Sequence, residues 1–258
     1  MTILEHHFSA GEYDLRRSAA MKLAAAVNAG AVLAFGENRS GLHVTYLNGW
    51  AVTRSAWLRL DDAGCRMWVQ FHNHIPYARR VVHNTQVLDV DSTTIETLLA
   101  GHGAFATLGN VPSTVSEAAR GAGIALIPID KEHANLRIVK SAEEVAALRL
   151  GAQASDVGAQ ALIDACVVGA TDWDLLAAAR SAYTRVGGRD HICYIAVTDS
   201  SGADRDVPSQ VPEGRVLSKT SVVTFELSAS VSPEYPGQVL RTVTLGPAAD
   251  PYGRLHEV

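Results

Sequence analysis

Cysteine is scarce in this 258-residue chain. Cys65, Cys166 and Cys193 are odd in number, lie far apart and show no CxxC spacing. That pattern excludes a disulfide framework and predicts reduced, mostly buried thiols in a cytoplasmic protein. Clustered positive charge is also missing: the net charge is -5 and no Lys/Arg run occurs. The chain therefore lacks the electrostatic footprint of a nucleic-acid binder or of a protein held to an anionic membrane surface. Long apolar runs are absent too. The most apolar window, 19–35, is broken by Lys22, Asn28 and Gly30, which is too short and too interrupted for a bilayer span. Residues 1–15 carry Glu5, His6, His7, Glu12 and Asp14 without a basic segment leading into an apolar one, so no signal peptide is expected there. The GHG at 101–103 and the GAG at 121–123 lack the third glycine of a dinucleotide loop and read as turns.

What is present is apolar material in regular patterns. Hydrophobic residues make up 47% of the chain and charged residues 19%, enough to bury a sizeable core. The first part alternates helix and strand signals. Residues 13–28 form an Ala-rich helix ended by Gly30, 31–35 a buried strand, and 42–47 a second strand before the Asn48-Gly49 turn. Segments 56–60 and 66–71 read as a hairpin across 61–64, and 91–100 as a helix capped by Asp91 or Ser92. A strand at 105–108, a helix at 112–120 and a strand at 124–129 complete an α/β domain over 1–135.

A boundary is expected near 132–136. Ser141 with Glu144 then forms a capping box opening a long helix, with Val145, Leu148, Ala152, Ala159, Leu162 and Cys166 on its buried face and Gly169 at its end. Thr171 caps the next helix, whose buried stripe is Leu175, Ala179, Tyr183 and Val186 and whose stop is Gly187-Gly188. A strand at 191–197, a polar loop at 198–213 and long strands at 221–230 and 239–245 around a Pro-rich turn follow.

Four stretches carry a family resemblance. RIVKSAEEVAALR at 137–149 resembles the linker and first helix of the creatinase, prolidase and aminopeptidase P group of "pita-bread" hydrolases, and SDVG at 155–158 sits in that helix much as in creatinase. LRTVTLG at 240–246 is similar to the strand that follows the family's second metal-binding Asp, and YLNGW at 46–50 to a turn of its N-terminal domain. The resemblance implies an α/β N-terminal domain, 1–135, followed by an α+β partial pita-bread domain, 136–258. It implies a hydrolase acting on a C–N bond.

The family's metal chemistry does not carry over. Its metal-dependent members use two Asp on the ribbon, then a His and two Glu from the later half. Here the second Asp position is Gln238, and the first falls at or beside Glu226. A neutral amide is a poor substitute where two dications must be neutralised. The loop position of the family's catalytic His is Ser209. The expectation is accordingly a metal-independent enzyme without cofactor, whose pita-bread domain is completed by a second polypeptide or by self-association. The alternatives are a non-catalytic partner subunit and a small-molecule binding protein.

Each candidate also has an ordinary reading. Glu226, the candidate general base, lies among Val222, Val223, Phe225 and Leu227, where a carboxylate is costly unless paired or ligating; it could also sit on the wetter face or pair with Arg241 or Arg215. Gln238 is substrate-facing or structural, Arg241 a substrate contact or a ribbon anchor beside Thr242. His191 faces the cleft or merely opens a strand. Ser209 needs a base to act, and none is assignable. Of the histidines in FHNH at 71–74, His72 and His74 would share one side of a strand. With Arg54 and Arg59 they are the residues by which one subunit could reach its neighbour's site.

Overall fold

An alanine-rich segment with Ser9 ahead of it must start a helix there, because the Ser hydroxyl can satisfy an orphan amide of the first turn. The computed structural model, which describes residues 3–4, 6–38, 42–92, 94–204, 207–247 and 253–254, has helix α1 at Ala10–Ala26, with Ser9 Oγ accepting from the Glu12 amide at 3.2 Å. The helix stops at Asn28 rather than Gly30: Asn28 adopts φ 57°, and the Ala29 amide donates back to the Ala24 carbonyl at 2.9 Å. The chain divides into two units, Phe8–Ser141 and Ala142–Val258 with the N-terminal residues through His7.

In the first unit β1 (Ala31–Glu37) is buried along almost its whole length. The stretch expected to be the next strand is instead helix α2, Leu42–Asn48. Its apolar residues fit both periods, and packing selects the helical one: Val44, Thr45, Leu47 and Asn48 are buried together at steps of three and four. Asn48 accepts from the Trp50 amide at 3.0 Å and Gly49 takes φ 84°, so the expected turn follows a helix. The hairpin is as expected, β2 (Ser55–Asp61) against β3 (Gly64–Val69). His72–His74 form a 3-10 turn and not a strand, which removes the reason for His72 and His74 to point the same way.

Helix α3 (Ile75–Val81), β4 (Thr85–Asp89), α4 (Ile95–Leu99), β5 (Ala104–Leu108), α5 (Ser113–Gly121), β6 (Ala125–Pro128) and α6 (Asp130–Leu136) complete the unit. The cap of α4 is Thr94 and not Asp91 or Ser92, which belong to a separate 3-10 turn. The six strands form one mixed sheet in the order β4-β3-β2-β1-β5-β6. Buried Arg17 ties α1 to α2 and to the start of β4, donating to the Leu47 carbonyl at 2.9 Å and to the Thr85 hydroxyl at 3.0 Å.

The second unit contains α7 (Ala142–Ala165), α8 (Asp172–Arg185), β7 (Arg189–Asp199), β8 (Ser221–Ser230) and β9 (Pro236–Thr244). The strands form an antiparallel sheet in the order β7-β8-β9. Thr171 and Asp174 make a reciprocal capping box on α8, and Leu175, Ala179, Tyr183 and Val186 are buried as expected. The buried face of α7 is the expected one only in part: Ala159 and Leu162 are buried as expected. Val145 and Ala152 are exposed, and Glu144, Ala147, Gly151, Ser155, Gly158 and Leu162 face inward. Small residues win that face because the helix backbone lies almost on the ribbon. A Cβ on Gly151 would fall 2.4 Å from the Tyr235 carbonyl oxygen, and one on Gly237 would fall 2.3 Å from Ala152 Cα. At this seam Ser155 Oγ accepts from the Ala229 amide at 2.8 Å and donates to the Gly237 carbonyl at 2.9 Å. Glu144 accepts from the buried Tyr235 hydroxyl at 2.7 Å. No described helix is long and apolar enough to cross a membrane.

Two predictions follow from the packing. Ser155→Ala leaves the buried Ala229 amide unsatisfied and should cost about 1–3 kcal/mol, read as a lower urea midpoint and faster hydrogen exchange at Ala229. Gly151→Val, which forces a side chain into the Tyr235 backbone, should cost more.

A third prediction concerns α2 and α6. His43 Nδ1 lies 3.3 Å from Nδ1 of the buried His133, while His43 Nε2 lies 3.2 Å from Asp130. Burial, then the neighbouring His43 and Arg137, lowers His133 to about 4; burial likewise lowers His43 despite Asp130. Both groups thus bind protons more readily when unfolded. Their contribution to stability is present above pH 6.5 and is lost as the pH falls from there toward 4. Denaturation midpoints taken across that range should decline, and the decline should be smaller in His133→Gln.

Candidate functional site

The alternation of side chains along β8 decides which face carries chemistry. Val223, Phe225 and Leu227 are fully buried, so Thr224, Glu226 and Ser228 project from the opposite face. Antiparallel partners share a face. Glu226 lies opposite Tyr194 on β7 and Leu240 on β9; Ser228 lies opposite Gln238, and Thr224 opposite Thr242. The result is a polar face with Glu226 at its centre. The Gln238 Nε2 amide donates to Glu226 Oε1, and the Thr224 and Thr242 hydroxyls lie 3.1 Å apart.

Two residues that the sequence left unconnected, Glu226 and Gln238, are therefore brought together. The ordinary partners considered for Glu226 are elsewhere. Arg241 pairs with Phe225 in the register, stands on the alternate face, and donates to its neighbour's carbonyl, Leu240, at 2.8 Å. Arg215 binds Asp204 at 2.7 Å. Among the described residues Glu226 has Gln238 as its hydrogen-bond partner and no cation within ion-pair distance.

Within the second unit, the candidates His191 and Ser209 do not join this face. His191 is exposed at a β-bulge, the register shifting between Asp190 and Ile192, so it opposes no residue of β8. Ser209 bridges to Ile195 along the outer edge of β7, where the partner's side chain is on the buried face; its hydroxyl donates to the Val211 carbonyl at 3.0 Å. Arg54 and His72 belong to the first unit, both exposed, on the segment before β2 and in the 3-10 turn. His74 Nδ1 sits 2.9 Å from the Thr53 hydroxyl. Tyr194 and Thr242 were missed as members of the site. Only the pairing register places them, and a register shift of one residue would have removed them.

The polar loop after β7 is held by the start of α8. The buried Asp172 carboxylate accepts from the Glu213 and Gly214 amides, both at 2.9 Å, which fixes the end of the polar loop. In the first unit a hollow of about 430 Å³ is lined by Glu96, Leu99, His102, Ala118, Ala122 and Ile124. His102 is committed there, with Nε2 3.7 Å from Asp61 and its ring against Phe105.

The fold these units carry is that of the creatinase and prolidase group, an α/β unit followed by part of a pita-bread domain. The chain is similar to the prolidase of Pyrococcus horikoshii OT3 (TM-score 0.78, 16% identity), covering 94% of this chain and 68% of that one. It is similar also to the X-Pro aminopeptidase of Thermotoga maritima MSB8 (TM-score 0.77, 14% identity, 93% and 68% covered) and to the dipeptidase PepE of Mycobacterium ulcerans (TM-score 0.75, 18% identity, 97% and 69% covered). No family model matches the sequence, and no curated protein matches it.

That fold brings with it the expectation of a divalent metal centre, and the residues of this face do not fit one. The donor set is a single carboxylate whose oxygen is already engaged by a neutral amide, and no cluster of three His, Cys, Asp or Glu is placed for a metal among the described residues. Gln238→Asp should reverse this. With two facing carboxylates, Mn²⁺ at millimolar concentration should broaden the amide resonances of 224–228 and 238–242 more than in the unsubstituted chain. The additional change Glu226→Gln should abolish the gain.

Proposed function

We propose that the chain is a metal-independent, creatinase- or Xaa-Pro-peptidase-like hydrolase that cleaves a C–N bond in a small polar substrate. The observation that carries this reading is the Glu226–Gln238 pair at the centre of the polar face of a pita-bread sheet. Glu226 is the general base, or orients the attacking water, and Gln238 positions the substrate through its amide. The outer edge of β9 pairs with no strand among the described residues, which supports completion of the sheet by a further strand. A second polypeptide or another copy of the chain would supply it.

A second reading is a non-catalytic pita-bread partner or binding protein. Ser209 favours it, since its hydroxyl is spent within its own turn. Turnover separates the two. Amine release from a panel of Xaa-Pro dipeptides and N-amidino amino acids should persist in EDTA and fall roughly 10²–10⁴-fold in Glu226→Gln. Loss of activity in EDTA would refute metal independence, and binding without turnover would establish the second reading.

A further inference from the structure

The first unit holds an excess of positive charge beside its hollow. Arg59 and Arg66 face each other across the β2–β3 hairpin, where like charges repel. They share one carboxylate, the buried Asp61, which accepts from Arg59 Nε at 2.7 Å and from Arg66 Nη2. Two guanidiniums on one carboxylate leave one positive charge unmatched. His102 Nε2, 3.7 Å from the same carboxylate, brings no negative charge of its own. Donor capacity is left over as well. Arg59 is only 4% exposed, and its Nη1 reaches the Leu98 carbonyl at 2.7 Å, but its Nη2 has no hydrogen-bond partner among the described residues. Arg66 Nε is buried and equally without one. Arg59 Nη2 stands beside Gly101, 3.8 Å from where a Cβ on that residue would lie. Gly101 and His102 line the hollow, and their backbone amides donate to no group among the described residues. The remaining wall is mainly apolar, formed by Leu99, Ala118, Ala122 and Ile124, with Glu96 as its one carboxylate.

We infer that this hollow binds a small aliphatic monocarboxylate, its carboxylate at the Gly101-His102 turn beside Arg59 and its apolar body against Leu99, Ala118, Ala122 and Ile124. An anion there supplies the countercharge that Asp61 alone does not, and it takes up donors that are otherwise unused. A neutral ligand of the same shape would gain only the apolar contact. An ammonium would meet the unmatched positive charge. A dicarboxylate would bring its second charge toward Glu96 and be repelled. The volume of about 430 Å³ suits a small molecule and not a polymer. The site belongs to the first unit and does not rest on the reading of Glu226 and Gln238.

The test is a titration of the 258-residue chain with 3-methylbutanoate, its neutral amide 3-methylbutanamide and 3-methylbutylammonium, following backbone amide shifts. The carboxylate should bind at least about tenfold tighter than the other two, with the largest shifts at 99–103 and 121–124. Arg59→Gln removes the unmatched charge and should abolish that preference. Ala122→Trp, at the exposed end of α5, should fill the hollow and abolish binding of all three probes while leaving the amide shifts of β7, β8 and β9 in place. Because Arg59 is buried and its loss could unfold the unit, Ala122→Trp decides the location by itself. Equal binding of the amide or the ammonium, absence of carboxylate binding, or shifts centred elsewhere would overturn the inference. So would carboxylate binding that Ala122→Trp leaves intact, or a preference that survives Arg59→Gln in a folded chain.

Discussion

One hydroxyl, that of Ser155, fixes the second unit. It lies where β8 and β9 pair, taking the Ala229 amide and giving to the Gly237 carbonyl, so a helix side chain joins the ladder at a single rung. The contact requires the helix backbone to approach the strands far more closely than ordinary side chains permit, which Gly151 and Gly237 allow. Because Ala229 opposes Gly237, Ser228 must oppose Gln238 and Glu226 must oppose Leu240. A slip of one residue would turn Gln238 to the Phe225 face and leave Glu226 alone. The seam is remote from the polar face in chemistry, but it determines the register on which the candidate site depends.

The same seam explains what could be read from the sequence. The SDVG at 155–158 carried part of the family resemblance, and the structure gives its Ser and Gly physical work: one bridges the ladder, the other admits Tyr183 and Leu227 against the helix. The helix itself, the cap at Thr171 and the limits of β8 were legible from local signals. The inward face of α7 was legible only at Ala159 and Leu162; toward its start apolar periodicity selects Val145 and Leu148, whereas close backbone packing selects glycine and serine. Residues 42–48 failed for a related reason. A short apolar segment fits either period, and only the surrounding sheet decides. Glu226 and Gln238 were legible as residues but not as a pair, because twelve positions of sequence say nothing of register.

Replacing one of two facing carboxylates by a carboxamide changes what a site can hold without changing its shape. Two carboxylates at hydrogen-bond distance repel, and they must take up a cation or share a proton. A carboxylate beside an amide has no such requirement: the amide donates, the charge falls to one, and the pair is stable when empty. What remains is a face with a single carboxylate held by an amide. The neighbouring residues agree with that scale. They are a phenol, two hydroxyls and a leucine, which can enclose the body of a small molecule but add no second anion. The poor fit of this face to a metal centre is thus a consequence of one amide.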